Sequence, residues 1–151
     1  MMRKRTMNQT RRLIKRYLKE YRRLTEKIRQ LDEDINALRN EIGSQQMKGD
    51  PVTSSSLSDP TAKLAVRLAD LKTRKENLRA LAWQRREEIA ELIDEVPDTL
   101  QSRLLYDRYI LLYGWRQVAD DIHVSEEYAR GRLHDRALGS AEERLKERGI
   151  I

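Results

Sequence analysis

The sequence predicts an all-α fold, a long antiparallel helical hairpin (coiled coil) followed by a C-terminal domain of short helices. Two heptad-spaced apolar seams, separated by one break rich in Gly, Pro and Ser, predict the hairpin. Composition agrees: 5% of residues are aromatic, none is Phe, and 37% are charged. Such a chain fills narrow helix–helix seams, which need roughly one or two apolar residues per turn, better than a wide interior.

The first seam is Ile14, Tyr17, Tyr21, Leu24, Ile28, Leu31, Ile35, Leu38 and Ile42, at strict 3,4 spacing. It predicts a helix over 10–42, about 50 Å long at about 1.5 Å per residue, with Asn8 or Thr10 as cap and Gly43 at its end. Residues 43–60 are small, polar and broken by Gly and Pro, which predicts a flexible linker. Asp59-Pro60 restarts a helix, with Asp as cap and Pro in the first turn. The second seam is Leu64, Leu68, Leu71, Lys75, Leu78, Ala82, Arg85, Ile89, Leu92 and Val96. Lys75 and Arg85 can lay their methylenes on it and release their charges at its edge. The nearly equal lengths favour a hairpin within one chain, over 1–96, ahead of helices that pair only between chains. A stripe left over from the two seams leaves self-association open.

Val96-Pro97-Asp98 opens a second domain, 97–151, with helices expected at 98–112, 115–122 and 125–138 and a frayed, charged tail from Glu142 to Arg148. Val118, Ala119 and Ile122 are the inward residues of the middle helix, and Ala119 is small enough for a close crossing. Ser125 is a strong N-cap for the next helix. Ala129, Leu133 and Ala137 form its buried stripe. Glu126, Glu127, Arg130, Gly131 and His134 are left on its outer face, flanked by Tyr128, Arg132 and Arg136. This is the pattern of a helix-turn-helix unit, in which the second helix enters a major groove. Trp115, one turn before Ala119, reads as a core residue rather than a stacking platform.

The run Tyr109 to Ala119, with Ile122-His123-Val124-Ser125 and Leu133-His134-Asp135-Arg136-Ala137-Leu138, resembles region four of sigma factors. It is closer to phage-encoded regulators with a similar region, the RinA/ArpU-type late transcription regulators and related phage proteins. The resemblance is carried chiefly by 109–138 and extends over most of 15–145. It implies a phage or prophage regulator that binds double-stranded DNA in the cytoplasm of a bacterial host, as a homo-oligomer or with host RNA polymerase as partner. His123 occupies the turn position where that group usually has Gly, so it must either take left-handed backbone or adjust the turn. Glu126 and Glu127 stand where Arg or Lys is common; carboxylates there suit the helix dipole and can accept from cytosine N4.

Charge is unevenly placed. The chain carries a net +6, yet residues 1–30 hold twelve Lys/Arg against two Glu, a local +10. Residues 97–151 hold nine basic and ten acidic residues, a balance of −1. Nonspecific phosphate contacts are therefore expected from Arg11, Arg12, Lys15, Arg16, Lys19, Arg22 and Arg23, far in sequence from the helix-turn-helix. Two rival functions stay open: an assembly module in which the hairpin is the working part, as in phage packaging, and an RNA-binding regulator using the basic helix. No enzyme, metal or cofactor is expected: there is no Cys, and two His without ligand spacing, no Gly-rich phosphate loop and no nucleophile elbow. No apolar run is long enough to span a membrane, and no apolar stretch follows the basic N-terminus as a signal peptide requires.

Overall fold

A computed structural model describes residues 6–48 and 59–151. All regular structure among them is helical: α1 Met7–Leu18, α2 Glu20–Lys48, α3 Asp59–Asp94, α4 Thr99–Tyr109, α5 Trp115–Ile122, α6 Glu126–Tyr128, a π-helical turn Ala129–Leu133, and α7 His134–Glu147. None of these helices is long and apolar enough to cross a membrane.

The first helix starts earlier than expected. Thr6 caps it, accepting from the Gln9 N–H while the Gln9 side chain accepts from the Thr6 N–H, a reciprocal box that Asn8 and Thr10 cannot form. α1 and α2 are separated only at Lys19, whose N–H is shared between Lys15 and Tyr17 carbonyls. α2 then runs through Gly43 to Lys48, beyond the expected end. One helical Gly costs only about 1 kcal/mol against Ala, and pairing continues past it: Thr61 Oγ1 donates to Gln45 Oε1 at 3.1 Å. The remainder of the expected linker, 49–58, lies outside the described residues.

Contacts divide the chain into two compact units, one of Leu24–Ala82 and one of the residues up to Arg23 together with Trp83–Ile151. In the first, α2 and α3 are antiparallel. Leu24, Leu31, Ile35, Leu38 and Ala82 are buried, and Ile28, Ile42, Leu64, Leu68, Leu71 and Leu78 half-buried. Lys75, in the polar slot of the seam, pairs with Asp32 across it.

The second unit has its own core. Ile14 and Leu18 of α1 share it with Ile89, Leu92 and Ile93 of α3, Val96 just beyond α3, Leu104 and Leu105 of α4, Val118 and Ile122 of α5, and Leu138, Ala141 and Leu145 of α7. The charged end of the chain is not frayed. α7 continues to Glu147 because Ala141 and Leu145, at helical spacing from Leu138, are fully buried. Arg148 closes the turn by pairing with Glu95. Leu145→Ala is expected to lower unfolding stability by about 2–5 kcal/mol, read from urea midpoints. A loss below about 1 kcal/mol would mean that the last two turns of α7 add nothing to the core.

Candidate nucleic-acid interface

The helix-turn-helix is built by α5, a three-residue turn and the helix that begins at Glu126. Val118, Ala119 and Ile122 are buried, as their spacing predicts. His123 ends α5 at φ 59°, ψ 46°, in the left-handed region. The Val124 N–H returns to Ala119 O at 3.1 Å, so the helix is closed on that carbonyl without Gly. Ser125 Oγ accepts from the Tyr128 N–H at 3.1 Å. Glu126, Glu127, Arg130, Gly131, Arg132 and Arg136 are exposed, and Tyr128 is half-buried against the core.

His134 is the exception to the expected outer face. Only 8% of it is exposed. In a regular α-helix, five residues on from buried Ala129 is about 140° round the axis. Here the backbone between Ala129 and Leu133 makes a π turn, with the His134 N–H reaching Ala129 O. Each bond then spans five residues rather than four, which carries His134 round into the core. Its Nε2 lies 2.7 Å from Tyr109 Oη, and Trp115 meets the imidazole edge-on with centroids 4.7 Å apart. Burial, reinforced by Lys15 and Arg108, pushes the imidazole down to about 4, so the ring is neutral at pH 7 and shares its hydrogen bond with the Tyr109 hydroxyl. Burial also pushes Tyr109 up to about 12. His134 is therefore a core residue and leaves the set of base-contact candidates.

The basic N-terminal helix, remote in sequence, belongs to the same compact unit and packs on α7. Arg11 shares the inward face of α1 with Ile14 and Leu18, three and seven residues on. It points at α7, where its guanidinium lies over Gly139: a Cβ there would meet Nη2 at 3.1 Å. Arg11 pairs with Glu142 at 3.0 Å and Asp135 at 3.4 Å, so its charge is used inside the fold. Arg23 is similarly held by Glu20, its i−3 neighbour. Arg12, Lys15, Arg16, Lys19 and Arg23, with the carboxylate Glu20, line an open groove along the outside of α1. Lys15 and Lys19 lie within Coulombic range of the His134 ring, and Arg22 and Arg130 within range of the Arg108 guanidinium. The helix-turn-helix, near neutral by itself, is thus bordered by positive charge from α1.

Arg108 is a site residue the spacing patterns do not single out. It is half-buried, its guanidinium carbon 4.7 Å above the Trp115 ring, and Nη1 donates to Tyr113 O at 3.0 Å. Beside it, Asp107 is completely buried. Arg103 Nε lies 3.1 Å from Asp107 Oδ1 but aims its N–H at Asp121 Oδ2, at 2.7 Å, and no donor is aligned on either Asp107 oxygen. Desolvation and the neighbouring Asp121 carboxylate push Asp107 up to about 7, against the pull of Arg103. The Arg103 hydrogen bond holds Asp121 below the usual carboxylate range. One signal in the sequence marks this place: Asp107-Arg108 is a charged pair inside the apolar run from Leu104 to Leu112.

No family model, curated protein or solved structure matches this chain.

Asp107 and His134 act on stability with opposite signs. Asp107 is raised from 3.8 to about 7 in the fold, so the folded chain keeps a proton the unfolded chain has lost, and stability falls as pH rises through that window. His134 is lowered from 6.5 to about 4, so its contribution is complete above 6.5 and is lost as pH falls toward 4. Asp107→Asn removes the first effect only. Urea midpoints of the variant should rise more steeply between pH 4 and 6.5 than those of the wild-type chain. Parallel curves would mean that Asp107 is ionised in the folded protein.

Proposed function

We propose that this chain is a DNA-binding transcriptional regulator of the phage late-regulator type, with α6 and the π turn entering a major groove of double-stranded DNA. The reading rests on one observation above all: a helix-turn-helix with a capped, exposed second helix shares a compact unit with the basic helix α1. Residues Arg11–Arg23 hold seven basic residues and one acidic residue, which turns the −1 balance of 97–151 into +5 for the two segments together. A duplex with one negative charge per roughly 1.7 Å of axis is the partner such a field suits.

Base reading falls to the first turns of the second helix, as in other helix-turn-helix units. Glu126, Glu127, Arg130 and Gly131 line one shallow exposed depression. Arg130 and Arg132 can each donate to guanine, Glu126 and Glu127 can accept from cytosine N4, and Gly131 has open space above it. The second helix is short, and the two carboxylates repel phosphate. Useful affinity then calls for a second copy of the chain on a neighbouring half-site, or for docking on host RNA polymerase.

The test is a random-sequence duplex selection followed by anisotropy titration of the selected site. Arg130→Ala with Arg132→Ala is expected to reduce affinity for the selected site tenfold or more, about 1–3 kcal/mol per lost base contact, and to leave helicity intact. Unaltered discrimination between selected and random duplexes would remove this helix from base recognition.

A further inference from the structure

We propose that the face of α3 from Trp83 to Asp94, with the groove it forms against α4, is an interaction surface for the same face of a second copy of this chain, the two helices running antiparallel. Trp83, Glu87, Ala90 and Asp94 follow one another at spacings of four, three and four, so they share one side of the helix. Trp83 is 62% exposed, with the Arg86 guanidinium carbon 5.4 Å from its ring centroid. Further along, the same side opens into a groove of about 950 Å³ between the end of α3 and the start of α4. Ala90, Ile93, Val96 and Tyr106 give it a buried or half-buried apolar lining. Glu87, Glu91, Asp94 and Glu95 are exposed along it, and Arg103 is the cation among its lining residues.

The helix that carries these carboxylates does not account for them. Residues 72–86 hold six basic residues and one acidic, whereas 87–95 hold five acidic and none basic. The negative block lies at the C-terminal end of α3, where the last turn has no basic residue and the helix dipole opposes carboxylates. Glu87, Glu91 and Glu95 also stand four apart, a spacing at which like charges repel. Local pairing answers part of this: Glu87 with Arg86, Glu88 with Arg85 and Glu95 with Arg148, while Arg103 is drawn to Asp107 and Asp121. Among the described residues no ion pair falls on Asp94, and Glu91 lies within Coulombic range of Arg148 without pairing with it.

A second copy turned end for end supplies the missing charge and an apolar contact together. A two-fold axis between Arg86 and Glu87 sets Trp83 opposite Ala90 of the second copy. The same axis sets Arg86 opposite the second copy's Glu87, one turn from its Glu91. Each contact then occurs twice, as an isologous interface requires. The indole meets a small residue on an apolar lining, and Trp and Arg are the side chains that most often dominate such contacts. The two acidic ends are carried apart. None of these residues belongs to the second helix of the helix-turn-helix, so the surface does not rest on the DNA reading above.

Sedimentation velocity over a concentration series reads the monomer–dimer equilibrium of the full chain. Trp83→Ala removes an exposed side chain, so it tests the face without opening the core, and it should weaken the dimer about tenfold or more. Arg86→Glu and Glu87→Arg each set like charges across the axis, and each alone should weaken association. An equimolar mixture of those two variants restores opposite charges at both contacts. It should recover the association of the wild-type chain, as a heterodimer seen by native mass spectrometry. A wild-type chain that stays monomeric throughout overturns the proposal and leaves the groove to a different protein. A dimer that all three variants preserve has its interface elsewhere. Weakening by each reversal with no recovery in the mixture rules out the antiparallel register.

Discussion

The C-terminal unit depends on the burial of Ile14 and Leu18 in a core that α3, α4, α5 and α7 also line. Each of these side chains is fully buried, worth about 1.5–3 kcal/mol in removed apolar surface. The Arg11 pairs with Glu142 and Asp135 remain partly open to water and contribute at most about 1 kcal/mol each. Burial therefore supplies the adhesion of α1, and the ion pairs select its position. Gly139 makes that position available, since a side chain there would displace the Arg11 guanidinium.

Once Ile14 and Leu18 face inward, helix geometry decides where the rest of α1 goes. Lys15 and Lys19 each follow an inward residue, about 100° further round the helix. This brings them within Coulombic range of the His134 ring, while they still line the open groove outside α1. The same phase sends Arg11 inward and leaves Arg12 and Arg16 outside, in the groove they share with Lys15, Lys19, Glu20 and Arg23. Seven basic residues that look equivalent in the sequence thus divide into different roles.

Within the core, titratable groups are accommodated by losing charge. Burial raises Asp107, on whose oxygens no donor is aligned, and burial, reinforced by Lys15 and Arg108, lowers His134. Both choices avoid the cost of a charge in a poorly solvated place. Arg103, beside both Asp107 and Asp121, and the Tyr109–His134 hydrogen bond tie α4 to the helix-turn-helix. Leu112, at φ 60° in the connection between those helices, is the remaining unusual backbone; the Tyr113 N–H beside it returns to Asp107 O at 2.9 Å.

Local pattern by itself determined the all-helical fold, both heptad seams, the Ser125 cap and the buried trio Val118, Ala119 and Ile122. These follow from spacing and backbone chemistry within a few residues, and that information is present in the chain as written. Tertiary structure alone decided the rest. The π turn that buries His134 depends on the space left by Tyr109 and Trp115, which no periodicity encodes. The end of α7 is ordered because Leu145 finds a core supplied by distant helices, although its neighbours are charged. The positive border of the helix-turn-helix exists only because residues up to Arg23 and residues from Trp83 onward pack as one unit. A charge count along the chain separates these groups, whereas electrostatic fields act through space.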